Sequence, residues 1–150
     1  MTDLDFMRVA LEEAEIAYEL GEVPVGAVIV RDGAIIAKGH NTRETAFSAI
    51  GHAEISAIES ACRTLHCWRL EDCTLYVTLE PCPMCAGAIV NARIPHVVFG
   101  ASDASMGAMG SVIQITKYPL PSRPRATAGV LETECGALLS RFFRERRLST

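Results

Sequence analysis

The spacing of apolar positions changes several times along this chain, and each change predicts an element. Residues 4–20 place Leu4, Phe6, Val9, Ala10, Ile16, Ala17 and Leu20 among Glu12, Glu13, Glu15 and Glu19 at roughly helical spacing. That pattern predicts an amphipathic first helix, ended by Gly21. Val25 to Val30 is a continuous apolar run rich in β-branched residues, which predicts a strand buried on both faces. Asp32-Gly33 is a hairpin signal, so residues 34–38 should return antiparallel and leave Gly39, His40 and Asn41 at the strand end. A polar loop over 42–51 precedes a helix over 53–65, with Ile55, Ile58 and Ala61 or Cys62 facing inward.

The second half alternates strand and helix. Residues 74–79 predict a strand stopped by Glu80-Pro81. Pro83 suits a first helical turn, where its missing N–H does no harm, and the helix should run on to Arg93. Residues 96–100 predict a fourth strand, parallel to the third because a helix connects them. A glycine-punctuated loop over 101–111 follows, then a stretch broken by Pro119, Pro121 and Pro124. A short fifth strand over 127–130 and a terminal helix over 132–147 complete the chain. This order predicts a mixed sheet with helices packed on its faces.

Composition narrows the class. The 150 residues fit a single domain, 1–150, long enough to bury a core without disulfides. Hydrophobic residues at 49% and charged residues at 21% are ordinary globular values. No apolar run approaches a membrane span, and residues 1–5 show no secretory signal, so a cytoplasmic protein is expected. The net charge of −4 argues against gripping nucleic acid by bulk electrostatics. Its distribution is uneven: residues 1–116 hold 7 Lys and Arg against 15 Asp and Glu, whereas 117–150 hold 7 against 3.

The chemistry concentrates in His52-Ala53-Glu54 and Pro81-Cys82-Pro83-Met84-Cys85. Each piece falls at the start of a predicted helix, with a strand between them. A helix N-terminus favours thiolate, the form that binds zinc. His52, Cys82 and Cys85 thus form a three-ligand zinc site that leaves a fourth position for water. Glu54, two residues from His52, can move protons to and from that water and the leaving group. His-x-Glu followed by Pro-Cys-x-x-Cys is the pattern of zinc deaminases acting on cytosine or adenine. Cys-x-x-Cys alone also suits a redox pair or half of a structural zinc site, for which Cys62, Cys67 or His66 could supply a fourth ligand. Otherwise most of Cys62, Cys67, Cys73 and Cys135 read as small buried hydrophobes.

With these residues in place the chain resembles the bacterial tRNA adenosine deaminases of the TadA type, in the cytidine deaminase-like superfamily. The resemblance spans 22–28, Asn41, 52–54, 74–87, 93–103, 107–111 and 129–144. It implies a three-layer α/β/α sandwich around a five-stranded mixed sheet, one Zn2+ per subunit, and a homodimer whose partner helps shape the substrate groove. It also implies conversion of wobble adenosine to inosine in a tRNA anticodon loop. By position, Asn41 would hydrogen-bond the flipped nucleotide and Val25 would pack on its base. The Ala53 backbone and Glu80-Pro81 would line the pocket, and Asp103 would lie beside the RNA. Arg144, Arg146 and Arg147 match the family's RNA-facing basic end, or else complement the dipole of a solvated helix end.

Three loops depart from the family. Ser48-Ala49-Ile50-Gly51 replaces Asp-Pro-Thr-Ala, Pro121 to Arg125 stands where an Asn-His pair is usual, and Ser105 replaces a common Lys. These changes keep open two other readings: a deaminase of a free nucleobase, nucleoside or related heterocycle, and a non-catalytic zinc-stabilised binding protein.

Overall fold

The computed structural model describes residues 1–149. It comprises α1 (Asp3–Glu19), β1 (Gly26–Arg31), β2 (Ala34–His40), α2 (Ala53–Leu65), β3 (Cys73–Leu79), α3 (Pro83–Asn91), β4 (His96–Ala101), β5 (Arg125–Thr127) and α4 (Glu132–Ser149). A single 3-10 turn, Ile115–Lys117, lies between β4 and β5. The five strands form one mixed sheet in the order β2-β1-β3-β4-β5. β1 is antiparallel to β2 and β3, while β3, β4 and β5 are parallel. Helices α1 and α4 cover one face, and α2 and α3 the other. This is the three-layer sandwich with a five-stranded mixed sheet implied by the sequence resemblance.

The alternation of β1 builds both cores. Ala27 and Ile29 point toward α2 and α3, and Val28 and Val30 toward α1 and α4, so every apolar residue of the run is buried. Asp32 and Gly33 both adopt positive φ (51° and 76°), the backbone of a tight two-residue hairpin turn.

The structure revises several boundaries. β2 extends through Gly39 and His40, because both pair with the start of β1. α3 ends at Asn91, and Arg93 takes φ 62°, which stops the helix before it. β5 lies at 125–127 rather than 127–130, since parallel pairing to β4 sets the register His96 to Arg125. The chain then turns at Gly129, φ 90°, whose N–H bonds the Phe99 carbonyl at 3.0 Å.

The buried stripe of α1 is Phe6, Met7, Ala10, Ala14 and Ala17, while Leu4, Ile16 and Leu20 are exposed. Close approach explains this choice. A Cβ on Gly26 would sit 2.0 Å from the Ala10 carbonyl oxygen, so α1 meets β1 through small residues. On α2 the inward face is Ala53, Ala57, Ile58 and Ala61, with Ile55 and Cys62 half-buried at its flank. A Cβ on Gly39 would be 2.4 Å from the Ala53 carbonyl oxygen, so the start of α2 is pressed against β2.

Strand directions place the site. β2 and β3 both run antiparallel to β1 and therefore point the same way, so α2 and α3 begin at the same edge. The end of β4 and the start of β1 reach that edge as well. No helix among the described residues is long and apolar enough to cross a membrane.

Candidate metal centre and pocket

His52 is the N-cap of α2 and Cys82 the N-cap of α3, both extended in φ and ψ and neither side chain capping its own helix. Ser, Thr, Asp or Asn usually fills that position and bonds the first turn. Here the cap side chains are left to meet each other. Cys85, one turn into α3, lies on the same face.

His52 Nδ1 is 3.6 Å from Cys82 Sγ and 3.4 Å from Cys85 Sγ, and the three ligand atoms lie within 4.8 Å of one another. Tetrahedral coordination with Zn–N near 2.05 Å and Zn–S near 2.3 Å separates nitrogen from sulfur by about 3.5 Å. The observed spacings fit that geometry, and the donor set of two thiols and one imidazole suits a soft cation. Among the described residues no fourth His, Cys, Asp or Glu joins this group. Cys62 and Cys67 instead turn their thiols to the carbonyls of Trp68 and Arg69, and His66 is the exposed, left-handed C-cap of α2. Cys73 and Cys135 are buried, Cys62 is half-buried and Cys67 is exposed.

The electrostatics are ordered for proton and metal chemistry. The Cys85 thiol, pointing at Cys82, outweighs burial and helps hold Cys82 down at about 4, with His52 acting in the same direction. The same contact and burial push Cys85 up, a proton that a cation would displace. Burial pushes the Glu54 carboxyl up to about 7, although its own backbone N–H and His52 pull it down. A carboxyl near neutrality can both accept and return a proton.

These groups open into a cavity of about 230 Å³ lined by Val23, Val25, Asn41, Arg43, His52, Ala53, Glu54, Leu79, Glu80, Cys82, Asp103 and Met106. Val25, Ala53 and Leu79 contribute apolar lining. Asn41 is buried, and its side chain donates to the Val23 carbonyl at 3.2 Å and accepts from Arg43 N–H at 3.1 Å. Pro81 lies behind the wall, buried, with its carbonyl accepting from Ala108 N–H. Glu80 borders the cavity, but its carboxylate serves the loop after β4. It accepts from the N–H groups of Asp103, Met109 and Ser111 at 3.1, 2.9 and 3.1 Å, and from the Ser111 hydroxyl. Asp103 Oδ1 in turn accepts from Ser105 N–H at 3.0 Å, from the Ser105 hydroxyl and from Met106 N–H, which fixes Met106 at the rim.

None of Arg144, Arg146 and Arg147 lines the cavity. Arg146 donates to the Gly21 carbonyl at 2.9 Å and lies over the Phe142 ring, so it docks α4 against the end of α1. Tyr18 and Glu145 hydrogen-bond at the same junction. Val23, Arg43, Leu79 and Met106 also line the cavity, beyond the residues expected from the sequence. Leu79 was findable, since it ends the strand that delivers Cys82; the others come from loops without a periodic signal.

A mixed sheet that delivers His-x-Glu and Cys-x-x-Cys to one edge is the framework of the cytidine deaminase-like enzymes, and this protein is of that class. Residues 1–147 match the MafB19-like deaminase family. The chain is 52% identical to a tRNA-specific adenosine deaminase of Bacillus subtilis, covering 95% of this chain and 89% of that one. It is 48% identical to one from Streptococcus pyogenes serotype M1, over 95% and 84%. It is similar to a solved structure from work on A-to-I editing by tRNA:A34 deaminases at the wobble position of transfer RNA. That match has 42% identity and a TM-score of 0.87, over 89% of this chain and 98% of that one. The chain belongs to the MafB19-like deaminases and, within them, groups with the tRNA-specific adenosine deaminases.

Proposed function

We propose that this protein, as a single deaminase domain over residues 1–150, hydrolytically converts the wobble adenosine of a tRNA anticodon loop to inosine. Identity near 50% over nearly the whole length to enzymes named for that activity carries the reading. His52, Cys82 and Cys85 would hold one Zn2+ per subunit, supported by donor spacings that fit tetrahedral zinc. When bound, the ion supplies a Lewis acid that activates water at neutral pH.

The remaining steps belong to side chains of this chain. Glu54 takes one proton from the attacking water and gives it to the ring nitrogen as the C–O bond forms at the amine-bearing carbon. It then takes the second proton from the added hydroxyl and gives it to the amine, so that the C–N bond breaks and ammonia leaves. Val25 packs on the flipped base, Asn41 and the Ala53 backbone orient it, and the cavity walls exclude bulk water. Glu80 and Asp103 hold the rim, with Pro81 anchoring the loop behind it. An anticodon-loop nucleotide is already largely unstacked, so flipping it needs little energy.

The protein acts in the cytoplasm, where tRNA is its partner, with Arg144 and Arg147 on the basic helix facing the RNA. It assembles as a homodimer. Supporting this are the exposed apolar side chains of Trp68, Val112, Ile113 and Tyr118, with a groove lined by Ile55, Ile58 and Cys62 beside Trp68. Ammonia release assayed separately on an anticodon stem-loop RNA and on a panel of free bases and nucleosides tests the substrate. Turnover of a free base alone overturns the tRNA reading, and a monomer in light scattering overturns the dimer.

A further inference from the structure

Among the described residues, Arg43 is the one Lys or Arg that lines the cavity; the other charged side chains there belong to Glu54, Glu80, Asp103 and the metal-site residues. Arg43 is exposed, and no carboxylate of the described residues lies within ion-pair distance of its guanidinium. Its backbone, by contrast, is tied on every side. Arg43 N–H donates to Asn41 Oδ1 at 3.1 Å, and its carbonyl accepts from Ser48 N–H at 3.0 Å. The next two amides, of Glu44 and Thr45, donate to the Glu22 carboxylate at 3.0 and 2.6 Å.

Glu22 itself is 1% exposed, an expensive place for a carboxylate. Nothing in the metal chemistry uses it. Both of its oxygens are spent on the loop that carries Arg43. A buried acid with that bonding pattern fixes where the exposed cation stands.

We propose that Glu22 is a positioning residue that holds Arg43 at the cavity mouth. There the guanidinium takes the phosphate joining the target nucleotide to its neighbour, so the pair selects a nucleotide within a strand over a free base. The inference deepens the proposed deamination of tRNA and rests on that reading. A phosphate is what a strand has and a free base lacks, and a planar guanidinium matches it bidentately. In a chain of net charge −4, one placed cation at the mouth does what bulk charge does not.

The test uses the metal-loaded full chain, a labelled anticodon stem-loop RNA, and the variants Arg43→Ala, Glu22→Gln and both together. Arg43→Ala should raise Kd and KM roughly ten-fold. It should leave kcat within about two-fold and flatten the slope of log affinity against log salt by about 0.7, the value for one single-strand phosphate contact. Glu22→Gln should raise KM in the same direction with kcat retained, and should add nothing further in the Arg43→Ala background. Should Glu22→Gln melt below the assay temperature, Glu22→Asp keeps the charge at shorter reach and completes the same cycle. An unchanged KM and salt slope for Arg43→Ala overturns the inference. So does a Glu22 variant that weakens binding as much without Arg43 as with it. A wild-type protein inactive on the stem-loop overturns the tRNA reading and this inference together, whereas active wild type with an equally good Arg43→Ala overturns this inference alone.

Discussion

The metal cluster and the rim of the cavity lie a few residues apart but are built by different means. His52, Cys82 and Cys85 stand on the first turns of two helices that start at one sheet edge, so strand direction and helix capping alone bring them together. The rim consists of two irregular loops, each hung on one buried carboxylate: Glu80 for 103–111 and Glu22 for 42–47. Regular secondary structure thus fixes the chemistry, and long-range hydrogen bonds to loop amides fix what can reach it. The two parts should fail separately when disturbed, which gives a graded set of experiments.

The largest effect should come from the cluster itself. Cys85→Ala removes a buried member of the candidate cluster, and we expect metal content near zero and ammonia release below detection. Stoichiometric metal in that variant would show that the three residues do not form the site. Glu54→Gln should keep the metal and lower kcat by roughly 10²–10⁴-fold, the range for a positioned acid or base. Metal analysis alongside single-turnover rates separates it from the ligand variant.

Rim variants should behave in the opposite way. Glu80→Ala strands several loop donors, for a loss of about 3 kcal/mol, or roughly 10 °C in Tm for a chain of this size. Metal stoichiometry should stay at wild type while KM for the stem-loop rises. Loss of metal in this variant would mean that rim and cluster are one unit. Gly107→Ala is milder. Its added Cβ would fall 2.5 Å from the Asp103 carbonyl oxygen and from the Glu80 carboxylate, forcing the loop to shift at a typical overpacking cost of ~1–3 kcal/mol. Calorimetry and KM should move together, with kcat little changed.

The smallest effect concerns pH. Burial alone would raise Glu22 and Glu80. Hydrogen bonds from Thr45 and Glu44 for the first, and from Ser111, Asp103 and Met109 for the second, win and hold both below the ordinary 4.5. A depressed carboxylate contributes stability above its unfolded value and loses it as pH falls through its folded value. The difference in Tm between wild type and Glu80→Gln should therefore be full at pH 6–7 and shrink on acidification below about 4.5. A difference that grows in acid would contradict the assigned direction.

The sequence was legible where one physical rule acts locally. β-Branched runs, the Asp32-Gly33 turn and Pro83 gave β1, the hairpin and the start of α3 within a residue or two. His52, Glu54, Cys82 and Cys85 stood out because metal chemistry allows few residue types at few spacings. β5 lies ahead of the expected 127–130 because Arg125-Ala126-Thr127 has no apolar pattern, and only pairing to β4 makes it a strand. Leu4, Ile16 and Leu20 point outward because α1 docks through alanines, a choice set by Gly26 on another element. Cys67 is exposed while Cys73 and Cys135 are buried, a difference that residue type alone does not show.

By itself, then, the sequence determined the layered fold and the candidate metal and proton-transfer groups, since helix starts, turns and strand runs are governed by neighbours a few positions away. The tertiary structure alone decided the rim: that Glu22 serves Arg43's loop, that the Glu80 carboxylate holds the amides of the loop after β4, and that Met106 stands at the mouth. Those contacts join residues more than twenty positions apart. Nothing in their spacing announces them, because a carboxylate finds loop amides only after the strands between have set the distance.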